Sequence, residues 1–134
     1  MKHIFLSILL TIITVGAVVA TNTTDSGNGI DWNKTTHDFG TIHSSGGKVR
    51  AEYTFTNSTS EPAAVLSVTN GGCGCTVPSF PKQPIAAGQN GKITITFDPS
   101  RFKGEFKRQV SVTIMSEGRK IKAKLKFSGN IIPD

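Results

Sequence analysis

Residues 106–131 read "FKRQVSVTIMSEGRKIKAKLKFSGNI", and apolar side chains recur there at every second position. Phe106, Val110, Val112 and Ile114 share one parity, with Arg108 the exception. Ile121, Ala123, Leu125, Phe127 and Ile131 share the parity opposite Lys120, Lys122, Lys124 and Lys126. On a helix these apolar residues would be smeared around the surface. A half-buried strand collects them on one face, so the stretch predicts two strands. "SEG" at 116–118 is short enough to join them as a hairpin.

The same period runs outward from this hairpin. In "KVRAEYTFT" at 48–56, Val49, Ala51, Tyr53 and Phe55 alternate with Lys48, Arg50, Glu52 and Thr54. In "KITITF" at 92–97, Ile93, Ile95 and Phe97 alternate with Lys92, Thr94 and Thr96. "PAAVLSVTN" at 62–70 and "HDFGTIHS" at 37–44 read as further strands. "NSTSEP" at 57–62, "AAGQNG" at 86–91 and "DPS" at 98–100 carry the Asn, Ser, Pro and Gly of turns. No segment reads as a helix.

About seven short strands predict an immunoglobulin-like sandwich of two mainly antiparallel sheets, in preference to an eight-stranded barrel. The expected core is Phe39, Tyr53, Phe55, Leu66, Ile95, Phe97, Phe106, Val112, Leu125 and Phe127. The chain has 2 cysteines, Cys73 and Cys75. Neighbours that close cannot bridge two sheets about 10 Å apart, so the sandwich needs no inter-sheet disulfide.

Before the domain come two other segments. Lys2 and His3 precede an apolar run from Ile4 to Val19, with small residues at Val18 and Ala20. This is the form of a secretory signal over residues 1–20, cleaved after Ala20. The run is short for a membrane anchor, which needs about 20 apolar residues, and no basic stop follows it. The expectation is export to the periplasm or beyond, with no membrane span after cleavage. "TNTTDSGNG" at 21–29 has no apolar side chain and reads as a flexible leader. The domain proper is expected over residues 30–132. The formal charge of +6 is a mild excess, and processing removes only Lys2 from it.

Cys73 and Cys75 sit in "NGGCGCTVP" at 70–78. Cα atoms two apart in an extended chain lie roughly 7 Å from each other, beyond disulfide range, so a bond requires a bend, which Gly74 would permit. Closing so small a ring gains only roughly 1.6 kcal/mol by loop entropy. The pair has four readings: cysteines packed in an end loop, a thiol-redox pair, ligands for Cu(I) or half of a zinc site, or an intermolecular disulfide. The packed loop is favoured. A low thiol pKa needs a nearby cation, and Lys82 is the only basic residue close in sequence. His37, His43 and Met115 are remote from the cysteines, and both histidines read as solvated.

Lys120, Lys122, Lys124 and Lys126 project from one strand face at roughly 6.6 Å intervals. They suit an anionic partner, but lysines also protect an outer strand from edge-to-edge pairing, and that plainer reading is preferred. Nucleic acid is not expected, because no exposed aromatics interleave with the row. No phosphate-cradling loop, nucleophile–base motif or paired carboxylates stand out, so neither an enzyme nor a cofactor is expected.

"HDFGTI" at 37–42, "FTNSTSEP" at 55–62, "GCGCT" at 72–76, "IAAGQNGKITITF" at 85–97 and "GEFKRQVSV" at 104–112 occur in this order. Together they resemble the bacterial domain of unknown function 1573. Members are found in exported proteins, especially of Bacteroidetes, and are similar to the immunoglobulin-like modules of Hydin-type proteins. Gly72 stands where serine is common, and Ala87 where proline is common. The resemblance implies a fold and an export route but no activity. The leading expectation is therefore a non-enzymatic module that presents loops or a strand edge to another protein or a cell-envelope component. The alternative is a thiol-redox or Cu(I)-binding periplasmic protein that uses Cys73 and Cys75.

Overall fold

The computed structural model describes residues 28–133. The proposed signal at 1–20 and the leader up to residue 27 lie outside them. Within them the chain forms β1 (Ile30–Trp32), β2 (Thr36–His43), β3 (Val49–Asn57), β4 (Ala64–Val68), β5 (Thr76–Ser79), β6 (Asn90–Phe97), β7 (Gly104–Ser116) and β8 (Arg119–Ile132), with no helix among the described residues. One sheet has the order β1-β3-β6-β5 and the other β2-β8-β7-β4. Every pairing is antiparallel except β2 with β8.

The core follows the alternation. Tyr53, Phe55, Ile93, Ile95 and Phe97 of one sheet are fully buried, facing Val110, Val112, Ile114, Leu125, Phe127 and Ile131 of the other. Phe97 stacks on Phe106 with ring centres 4.8 Å apart and tilts against Phe127 at 5.6 Å. Phe39 and Phe106 close this cluster from partly buried positions. Arg108 keeps the inward parity that made it the exception. Its guanidinium lies 4.8 Å over Phe102 and 5.8 Å from Phe97, so an aromatic face receives the charge.

Leu66 is not in the core: it is 48% exposed. The register of β4 against β7 shifts between Val65 and Ser67. A bulge of this kind reverses side-chain parity, so Val65 and Val68 point inward and Leu66 outward. Trp32, absent from the expected core, is buried against Phe55 at 5.2 Å. β1 and β5 bring the count to eight. They are short, and β5 contains Pro78, which its place at the sheet edge tolerates.

Polar ties join the two sheets. The Tyr53 hydroxyl donates to the Lys126 carbonyl at 2.6 Å. Asn57 is fully buried and satisfied: its amide donates to the Glu61 and Ile85 carbonyls, and its oxygen accepts from the Thr59 N–H and hydroxyl. Thr59 also bonds Ser116 at 2.7 Å. The β7–β8 turn places Glu117 at φ 53° and Gly118 at φ 69°, the left-handed pair that a two-residue hairpin requires. The Glu117 carboxylate accepts the Ser60 N–H and hydroxyl at 2.9 and 2.8 Å, which helps hold a non-glycine residue in that conformation.

Candidate functional site

The cysteine turn connects β4 to β5. Thr69 N–H donates to the Ser111 carbonyl, fixing the exit from β4 on β7. Asn70 then organises the bend: its side chain accepts the Gly72 N–H at 2.9 Å and its carbonyl accepts the Cys73 N–H at 3.3 Å. Gly71 and Gly72 take φ of 68° and 82°. A Cβ on Gly71 would lie 2.8 Å from the Gln109 carbonyl oxygen, so the turn packs on β7 closely enough to require glycine there. Gly74 is different. It has open space around it and no positive φ, yet the 5.2 Å between the flanking Cα atoms is set by its own backbone, so the bend expected at Gly74 is made there without left-handed strain.

The result is a disulfide between Cys73 and Cys75, with Cα atoms 5.2 Å apart. Both cysteines are half-buried, and Cys75 packs against the core. The Cys75 N–H donates to Cys73 Sγ at 3.2 Å. Thr76 N–H donates to the Cys73 carbonyl, and Asp98 N–H donates to the Cys75 carbonyl at 2.9 Å. The turn is thus held on both sides by hydrogen bonds that do not involve the sulfur–sulfur bond.

The pair opens on a cleft of about 370 Å³ lined by Cys73, Gly74, Cys75, Asp98, Arg101 and Phe102. The cation lining this cleft is Arg101. Lys82, nearer in sequence, lies instead over the Phe80 ring at 3.9 Å. The Ser100 N–H and hydroxyl hold the Asp98 carboxyl below its usual range, and Lys48 and Arg101 add to that. Asp98, Arg101 and Phe102 were missed in the sequence for want of β5. Thr76 pairs with Phe97, so the residues before Thr76 must lie beside those after Phe97.

The lysine row occupies a second location. Lys120, Lys122, Lys124 and Lys126 are all exposed on β8. β8 is an inner strand for only part of its length: β2 pairs with it from Thr36 opposite Lys126 onward. Lys126 N–H reaches the Thr35 carbonyl at 2.8 Å, so its backbone turns away from β7. Backbone direction alternates along a strand and the β7–β8 register is unbroken, so Lys120, Lys122 and Lys124 turn the same way. No strand covers that side among the described residues. Beside it lies a cleft of about 460 Å³ whose lining includes Trp32, Thr35, Ala123, Lys122 and Lys124. The outer-strand reading thus holds for the first half of β8 alone.

His37 and His43 are on β2, away from the cysteine cleft. His37 Nδ1 accepts from Lys34 Nζ at 2.8 Å, and burial followed by the Lys34 charge moves its pKa below the ordinary value. Met115 is on β7, paired with Lys120 and Ala64. No group of three His, Cys, Asp or Glu residues converges among the described residues. No described helix is long and apolar enough to cross a membrane.

The sequence model of the family described as "Protein of unknown function (DUF1573)" matches residues 30–131. The chain belongs to this family. Solved structures similar to this fold include the following three. The Vibrio cholerae VesB protease aligns with TM-score 0.64 and 15% identity, over 77% of this chain and 32% of that one. A protein of unknown function from Porphyromonas gingivalis W83 aligns with TM-score 0.62 and 16% identity, over 75% and 46%. The YadV chaperone aligns with TM-score 0.55 and 15% identity, over 77% and 52%. The chain spans about a third of the protease and about half of the other two. At these identities the likeness concerns the fold alone. The search of curated proteins finds no match.

Proposed function

We propose that this family member is an exported, non-enzymatic interaction module that takes up an extended acidic segment of a partner protein along the free side of β8. The observation that carries the reading is the coincidence of unpaired backbone with unpaired charge. Lys120, Lys122 and Lys124 offer N–H and C=O groups to a further strand, and no ion pair engages their side chains among the described residues. An added strand would gain main-chain hydrogen bonds from the edge, and its side chains would stand beside the lysines.

The lysines also exclude the wrong partner. A second copy of β8 on this edge would set lysine beside lysine, which repels. An acidic strand meets attraction at the same positions. The protective role of the row and its binding role are therefore one property seen by two partners.

The test uses hydrogen exchange on the processed chain with a peptide of alternating Glu and Thr, and a Lys–Thr peptide as control. The Lys120, Lys122 and Lys124 amides should exchange quickly alone and slow several-fold with the acidic peptide only. Protection should weaken as salt rises. Unchanged exchange at these amides under peptide excess would remove the proposal, as would equal protection by the basic peptide.

A further inference from the structure

We infer that Cys73 and Cys75 form a two-electron thiol–disulfide exchange site, entered through the cleft of Arg101, Asp98 and Phe102, whose co-reactant is a dithiol. This goes beyond the β8 reading and stands independently of it. The first support is what the bond does not do. It spans a single residue, and the turn is already tied by Asn70, Ser111, Thr76 and Asp98. A bond that closes so short a loop can open without releasing the strands on either side. The second support is access, since both cysteines line a cleft and neither is fully buried. The third is a stabilised leaving group: Cys73 Sγ already receives the Cys75 N–H, an interaction that favours a thiolate there.

The step balances as follows. One thiolate of the dithiol attacks Cys75 Sγ, forming a mixed disulfide and breaking the Cys73–Cys75 bond. Cys73 leaves with the electron pair as a thiolate, accepts the Cys75 N–H, and then takes a proton. The second thiolate of the dithiol attacks its own sulfur in the mixed disulfide and releases Cys75, which is protonated in turn. Two electrons and two protons pass to the cysteines, and the dithiol becomes a disulfide. The reverse sequence oxidises the pair.

The cleft also predicts how charge alters the rate. The attacker is an anion. Arg101 draws it in and Asp98 repels it, so substitutions at the two should act in opposite directions.

The experiment reduces the folded chain with dithiothreitol and reoxidises it with the oxidised form, then alkylates the thiols and weighs the product. Wild type should gain two alkyl groups under native conditions, with an unchanged circular dichroism spectrum, and lose them on reoxidation. Arg101→Gln should slow reduction roughly threefold at low salt, and Asp98→Asn should speed it by a similar factor. Thiols that appear only in denaturant overturn the inference. So does native reduction at a rate indifferent to both substitutions. The β8 peptide assay run on the same preparations separates failure here from failure there.

Discussion

The β7–β8 hairpin and the passage from Val68 to Phe80 belong to the same sandwich and are stabilised in different ways. In the hairpin the register from Gly104 opposite Ile131 to Ser116 opposite Arg119 is unbroken, and its inner face carries Val110, Val112, Leu125 and Phe127. Its order comes from apolar burial repeated along a ladder. In the cysteine passage most residues are exposed or half-buried. Order there comes from an Asn70 turn, two left-handed glycines and a contact of Gly71 with the Gln109 backbone. Damage to the first should therefore spread through the fold, and damage to the second should stay local.

The strongest way to break this contrast is Phe97→Ala. Phe97 is fully buried and touches the rings of Phe102, Phe106 and Phe127. Removing it leaves a cavity between the sheets and should cost about 3–5 kcal/mol in urea unfolding. A loss below about 1 kcal/mol would mean that the sheets do not share one packed interior.

A smaller effect is expected at Tyr53, the only tyrosine of the chain. Its hydroxyl ties one sheet to the Lys126 carbonyl of the other, and Tyr53→Phe should cost about 1 kcal/mol. Burial also pushes its phenol up to about 12. The unfolded phenol titrates near 10, so between these values the unfolded chain gives up a proton that the folded chain keeps. The tyrosine's share of stability is thus intact below pH of about 10 and is lost as pH rises toward about 12. The difference in unfolding midpoint between wild type and Tyr53→Phe should narrow over that window. A difference that stays constant, or a phenolate absorbance that appears before unfolding, contradicts the inter-sheet tie.

The same contrast explains what could be read in advance. Period-two alternation reports the inward face of any strand that keeps its register, so Tyr53, Ile95, Val112 and Leu125 were legible. Leu66 was not, because the bulge after Val65 is a property of the pairing with β7 and leaves no mark in "AVLSV". Trp32 and Thr76 lie in strands too short to show a period. For the cleft, the cysteines were visible and their neighbours were not. Arg101 comes to line the same cleft as Cys73 through the Thr76–Phe97 pairing, a placement that only the tertiary structure supplies. The lysine row was plain from spacing. That half of it borders an open edge depends on where β2 begins.

Any effect should likewise be small where the chain's one disulfide lies. Replacing both Cys73 and Cys75 with serine removes a bond around a single intervening residue, for which loop entropy allows at most roughly 1.6 kcal/mol. Serine keeps the size of the side chains, and the Asn70, Thr76 and Asp98 hydrogen bonds to the turn are untouched. The double variant should therefore unfold within about 1.6 kcal/mol of wild type, far above Phe97→Ala, with the same strand content. Native disulfides of small secreted domains cost about 2–5 kcal/mol when lost, because they close long loops. A loss in that range here would mean that the sulfur bridge shapes the turn and the glycines follow it. A loss near zero leaves the bond free to serve chemistry, since the fold does not depend on it.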